Sequence, residues 1–144
     1  MTTNKTGLWR DKAKEDRCPR PPTYEPCVTK EQAEIRMRSC CQEQRLPVGC
    51  TPFCTSRLDR TTITTALFDP SCSTMGLGIL MACASDFKDH SRCCDDVGVP
   101  SHCFDFFCNP RQFFFERFSP VITQLLCFDR MKDIAWCFRG ALNP

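Results

Sequence analysis

Two vicinal cysteine pairs, Cys40-Cys41 and Cys93-Cys94, each open the same run: eight residues to a cysteine, three or four to the next, and seventeen or eighteen to a third. Leu46-Pro47 and Val99-Pro100 stand at matching offsets after the double cysteines, and Phe53 and Phe107 each directly precede the second single cysteine. Six cysteines and several other positions in register define an internal repeat. Its copies are offset by 53 residues, just above the usual solenoid range, and two copies are too few to stack as a solenoid. The pattern therefore predicts a duplicated, disulfide-framed unit, with copies at about 27–82 and 83–137.

Fourteen of the 144 residues are cysteine, a density typical of secreted disulfide scaffolds and rare in reducing compartments. Cys18, Cys27, Cys40, Cys41, Cys50, Cys54, Cys72, Cys83, Cys93, Cys94, Cys103, Cys108, Cys127 and Cys137 could form seven bridges with no thiol left over. Their possible pairings number on the order of 10^5, so the sequence does not assign partners. Zinc is the competing use of so many thiols, but it favours Cys-x-x-Cys pairs with histidine as the alternative ligand. No Cys-x-x-Cys occurs, and His90 and His102 are the only histidines. Disulfides are expected, with no metal and no cofactor. At roughly 2–4 kcal/mol per bridge against a net stability of about 5–15 kcal/mol, reduction should unfold the domain.

Nineteen basic residues against seventeen acidic ones leave a charge of +2, spread without a basic block, which argues against nucleic acid as a partner. No apolar run reaches the ~18 residues of a membrane span. Met1 to Arg17 is polar and charged and contains no signal peptide. The expectation is a mature form, a piece of a longer protein, or export by another route. Asn4-Lys5-Thr6 is a candidate glycosylation sequon, a weak signal because three-residue matches arise by chance.

Residues 1–26, rich in charge and proline, are expected to be extended or disordered until Cys18 or Cys27 anchors them. Thr29 and Gln32 form a capping box for a helix over about Lys30–Gln42. That helix delivers Cys40-Cys41 on its last turn, where consecutive side chains diverge by about 100° and seek different partners. Leu46-Pro47 ends it and turns the chain through Gly49. The spacing predicts further helices over Asp59–Phe68, weakened by four threonines, and Met75–Ala84, a buried one. Asp89 can cap a short helix into Cys93-Cys94, closed by Val99-Pro100. Ser119-Pro120 starts the longest helix, running to about Phe138, with 139–144 as a tail. The fold class is all-α: a small disulfide-rich helical domain of two pseudo-repeated helical units.

Phe104, Phe106, Phe107, Phe113, Phe114, Phe115 and Phe118 crowd fifteen residues. They either fill the core between disulfide-tied helices or form a partner surface, since three consecutive phenylalanines on a helix cannot all face one core. Phe113, Phe114, Phe115 and Phe118 are the candidates for that surface.

Asp89-His90 beside a double cysteine invites comparison with secreted phospholipases, but those read Cys-Cys-x-x-His-Asp, whereas this chain reads Asp-His-Ser-Arg-Cys-Cys and lacks a glycine-rich calcium loop. His90 reads as a surface or capping residue and His102 as structural or exposed. No unpaired thiol is evident for cysteine nucleophilic chemistry. Asp95-Asp96, Asp105 and Asp129 with Asp133 read as solvated faces and helix starts. No catalytic residue is assigned. Nine residues separate Cys40 from Cys50, Cys83 from Cys93, Cys93 from Cys103 and Cys127 from Cys137. This spacing keeps open a remote alternative, a twin Cys-x9-Cys protein of the mitochondrial intermembrane space, although Pro47 and Pro100 interrupt two of the four intervals.

From about Cys27 to Cys137 the chain resembles the DB module, a cysteine-rich domain of nematode extracellular proteins. The resemblance rests on Cys40-Cys41, Leu46-Pro47, Cys50 and Cys54, then Cys83, Asp86, Asp89-His90, Cys93-Cys94, Gly98-Val99-Pro100, Cys103 and Cys108, and finally Cys127 and Cys137. It implies secretion or display outside the cell and an interaction role, and it carries over no active-site residues. The expected function is a secreted or cell-surface module that binds another extracellular protein without catalysis. The alternative is a secreted binder of lipid or another small hydrophobic ligand.

Overall fold

A computed structural model describes residues 18–109 and 127–144. Five α-helices lie wholly within these residues: α1 (Lys30–Glu43), α2 (Arg60–Phe68), α3 (Thr74–Ala84), α4 (Ser91–Asp96) and α5 (Met131–Gly140); Cys127 and Phe128 are helical as well. Short 3-10 segments at Val48–Phe53 and Ser101–Cys103 and a π turn at Phe104–Cys108 connect them. No strand occurs among the described residues.

Local chemistry sets the helix starts. The Thr29 hydroxyl accepts the Gln32 N–H at 3.0 Å while the Gln32 side chain accepts the Thr29 N–H at 2.8 Å, a capping box. Ala33, Met37 and Cys41 then recur every four residues on the buried side of α1. Asp59 accepts from the Thr62 N–H to start α2, whose Ile63 and Ala66 are buried. Ser73 caps α3 through the Gly76 N–H.

Helices α1 and α4 end in the same way. The Leu46 N–H donates to Cys41 O and the Arg45 N–H to Gln42 O; the Val99 N–H donates to Cys94 O and the Gly98 N–H to Asp95 O. These paired bonds satisfy the last carbonyls of each helix and require a left-handed residue between them. Arg45 (φ 55°) takes that place after α1 and Gly98 (φ 87°) after α4. Glycine adopts it freely, whereas a residue with a Cβ loses about 1 kcal/mol. Pro47 and Pro100 then set the same extended turn into the 3-10 segments, closed by the Cys50 N–H on Pro47 O (2.9 Å) and the Cys103 N–H on Pro100 O (3.0 Å).

The fourteen cysteines form seven disulfides. Cys40–Cys83, Cys41–Cys54 and Cys50–Cys72 span 43, 13 and 22 residues. Cys93–Cys137, Cys94–Cys108 and Cys103–Cys127 span 44, 14 and 24. The order of pairing is therefore the same after each double cysteine, and no bridge joins the two sets. Cys18–Cys27 closes an N-terminal loop. One buried core contains the cystines of both sets, with Cys40 and Cys54 partly buried at its edge, together with Leu58, Ile63, Leu77, Leu80, Met131 and Ile134. Within it Phe107 meets Phe128 edge to face, with centroids 5.7 Å apart at 89°.

Cys18 to Pro26 runs through turns, and Tyr24 is buried with its hydroxyl donating to Asp96. Trp136 Nε1 donates to Thr23 O at 2.9 Å, and the Cys18 N–H to the Asn143 side chain at 3.0 Å, tying this loop to the C-terminal residues.

Three local expectations change. The helix expected to run unbroken to Phe138 has a turn at Asp129–Arg130, and α5 starts afresh at Met131 and reaches Gly140. There the Arg130 N–H closes on Cys127 O, and its guanidinium reaches Val97 O at 3.0 Å, drawing the turn toward α4. Ser119–Leu126 lies outside the described residues. Asp89 does not cap α4: its carboxylate accepts the Ser91 N–H (2.9 Å) and hydroxyl (2.6 Å), and His90 occupies the cap position without a side-chain cap bond. His90 is also not a surface residue. It is buried, with Nε2 2.7 Å from Ser85 O and its ring 4.9 Å from that of Phe138.

Candidate functional site

The first 3-10 segment and the start of α3 are pressed together. A Cβ on Gly49 would lie 1.6 Å from Ser71 O, and one on Gly76 would lie 2.2 Å from Cys50 Sγ and 3.5 Å from Pro47 Cγ. Only hydrogen fits at either position, and the Cys50–Cys72 bridge fixes the approach covalently. Beside these glycines, Val48 is 87% exposed and Met75 68% exposed, while Phe68, at the end of α2 just before Ser71, is 58% exposed. The backbone under these apolar side chains is rigid, so ordering them against a partner costs little conformational entropy.

A second feature lies at the C-terminal end of α1. Arg38, Gln42, Arg45, Leu46 and Thr51 surround an open groove of about 460 Å³ over the Cys41–Cys54 bridge. Arg38 meets Glu34 at 3.6 Å while remaining largely exposed. Burial raises the pKa of Glu34, but hydrogen bonds from the Ser56 N–H, the Ser56 hydroxyl and the Thr55 hydroxyl, with the charge of Arg38, outweigh it and hold the carboxyl below its ordinary value. Another cavity, lined by Met37, Cys40 and Cys83 of the first bridge set and by Ala135 and Phe138 of α5, measures about 50 Å³, room for a water molecule or two.

Among the described residues, the grouping of metal-ligand types is His102, Cys103 and Cys127. Cys103 and Cys127 are bonded to each other, so no thiolate is available there. His102 is exposed. Burial, the largest influence, holds His90 below its ordinary pKa, partly offset by its bond to Ser85 O. The carboxylates considered as pairs are engaged separately. Asp96 accepts from Tyr24, Asp129 pairs with Arg60 at 3.0 Å and Asp133 with Arg130 at 2.8 Å. The Cys-x9-Cys intervals do not lie in continuous helices: Cys40 is on α1 and Cys50 on a 3-10 segment, Cys83 on α3 and Cys93 on α4. That is not a twin-helix hairpin. No described helix is long and apolar enough to cross a membrane.

Of the phenylalanine cluster, Phe107 is in the core and Phe104 is partly buried against it. Phe113, Phe114, Phe115 and Phe118 lie outside the described residues, as does Asn4. Sequence reasoning overlooked Val48, Phe68 and Met75, because isolated apolar residues in amphipathic segments read as core. It also overlooked Arg45. The cysteine spacing held that signal, since Arg45 and Gly98 stand at the same offset after their double cysteines.

The described residues define a helical, cystine-framed domain. The chain matches the DB module over residues 12–138, nearly its whole length. It belongs to the DB module family. No curated protein matches it, and no solved structure does. The family and the seven bridges fit an extracellular, cysteine-rich domain.

Proposed function

We propose that this domain is a non-catalytic binding module for another extracellular protein, built of two pseudo-equivalent helical units. The observation that carries the reading is the exposure of Val48, Phe68 and Met75 on backbone that the Cys50–Cys72 bridge and two close-approach glycines hold still. Preorganised apolar anchors are what hot spots of protein interfaces use. Phe113, Phe114, Phe115 and Phe118 remain candidates for a partner surface. The cavity near α5, about 50 Å³, is too small for an acyl chain, and the larger groove at the end of α1 is open and edged by Arg38, Gln42 and Arg45 rather than enclosed by apolar side chains.

Photo-crosslinkers placed at Val48 and Met75 of the oxidised domain, applied to extracellular fluid and surface proteins of the source organism, test this directly. A discrete crosslinked protein is expected, and it should vanish when V48S, F68S and M75S are combined while the melting temperature stays within a few degrees of the parent. Recovery of acyl lipids in an organic extract of the purified domain, with no crosslinked protein, would overturn the reading in favour of a lipid binder.

A further inference from the structure

We infer that the groove at the end of α1 receives a carboxylate of an acidic peptide segment, seated between Arg38 and Arg45, with an adjoining apolar side chain laid over Leu46 and the Cys41–Cys54 bridge. This deepens the protein-binding reading and rests on it.

The chain contains its own comparison. Counting from the double cysteines, the groove positions Arg38, Gln42 and Arg45 correspond to Ser91, Asp95 and Gly98 in the second set. Both guanidiniums are missing there and an acid replaces the amide, although the helix end, the proline turn and the bridge of the same order are retained. The guanidinium that does approach Gly98 belongs to Arg130, and it is already held by Val97 O and Asp133. The framework therefore does not require arginines at these positions.

The two helix ends also differ at the left-handed position. After α4 the left-handed position is Gly98, the relaxed choice; after α1 it is Arg45, at φ 55°. Tyr24, Asp86 and Phe87 share that range of φ, so what marks Arg45 is its side chain: beyond the backbone bond to Gln42 O, its guanidinium has no hydrogen bond or ion pair among the described residues. Arg38 has only its long contact to Glu34, whose carboxylate is otherwise engaged by Ser56 and Thr55. Two guanidiniums at a groove, one unpaired and one loosely paired, suit a planar carboxylate that can accept from both.

The floor narrows the ligand class. Leu46 and the cystine are apolar, so the groove favours a ligand that sets charge beside apolar surface, as an acidic residue followed by leucine does. A sulfated glycan is charged along its length and needs a basic track, which a chain of net charge +2 with no basic block does not offer.

The test is an NMR titration of the 15N-labelled oxidised protein with acetyl-Glu-Leu-amide, acetyl-Gln-Leu-amide and a heparin tetrasaccharide. Binding of the Glu peptide should shift the amides of Arg45, Leu46 and Thr51. The Gln peptide should bind about tenfold more weakly, the difference between charge-assisted and neutral hydrogen bonds. R38A/R45G should lose the response while melting no lower than the parent, because glycine relaxes the left-handed turn. Equal binding of the two peptides, shifts elsewhere only, an unaltered response in the variant, or heparin moving these amides when neither peptide does would each overturn the inference. The titration reads the groove alone. It can therefore fail while crosslinking at Val48 and Met75 persists, or succeed when no partner is captured, which separates it from the wider reading.

Discussion

Replacing Gly76 with alanine sets two effects of opposite sign against each other. Gly76 is inside α3, where alanine is favoured over glycine by about 1 kcal/mol from backbone entropy and solvation. The added methyl, however, would lie 2.2 Å from Cys50 Sγ, with Pro47 Cγ at 3.5 Å. Cys50 is fully buried and bonded to Cys72, so that sulfur cannot swing aside as the end of a flexible side chain would. Overpacking of this kind costs about 1–3 kcal/mol, and a covalently held obstacle belongs at the upper end. The net expectation for Gly76→Ala is a loss of about 2 kcal/mol. For a chain of this length that lowers the melting temperature by roughly 4–8 °C. Guanidinium denaturation without reductant reads it as a lower midpoint at unchanged slope. A midpoint equal to or above the parent's would mean that α3 does not press on the Cys50–Cys72 bridge as described, and the rigidity beneath Val48 and Met75 would lose its basis.

Two further outcomes follow from the buried polar groups. Burial holds His90 below the ordinary histidine value of 6.5, so the unfolded chain takes up its proton first. Stability is full above about pH 6.5 and falls as the pH drops through the folded value; Lys88, Asp86 and Asp89 surround the ring. A melting series from pH 7 to pH 5 should slope less steeply in His90→Gln than in the parent, and identical slopes would contradict the burial. Tyr24→Phe removes the donor to Asp96; because Asp96 is exposed and can rehydrate, the loss should be near 1 kcal/mol rather than the larger penalty of a stranded buried charge. Urea denaturation checks it, and no change would place the tyrosine hydroxyl away from Asp96.

Much of the frame was legible because it is written in local chemistry. The Thr29–Gln32 box and the proline turns act within a few residues, so α1 and the ends at Leu46-Pro47 and Val99-Pro100 could be read directly, and α2 followed from its apolar spacing. The turn at Asp129–Arg130 could not, because it contains no breaker residue and depends on a guanidinium reaching Val97 O, 33 residues earlier in the chain. His90 was hidden for a similar reason: its burial comes from Ser85 and Phe138, contacts that periodicity does not encode. Pairing partners were invisible one bridge at a time, yet the repeated spacing already implied that whatever order holds after Cys40-Cys41 should hold again after Cys93-Cys94. Exposure of Val48, Phe68 and Met75 follows from tertiary packing and left no mark on composition.

The separation of the two bridge sets is read most directly by trypsin digestion of the unreduced protein followed by mass spectrometry. Cleavage after arginine and lysine separates the first bridge set into peptides 39–45, 46–57 and 61–88, and the second into 93–111, 118–130 and 133–139. Two disulfide-linked clusters of three peptides each should appear, beside a self-bridged 18–30. A peptide of one cluster joined to a peptide of the other, or a free thiol in any of them, contradicts the two separate bridge sets that frame the domain.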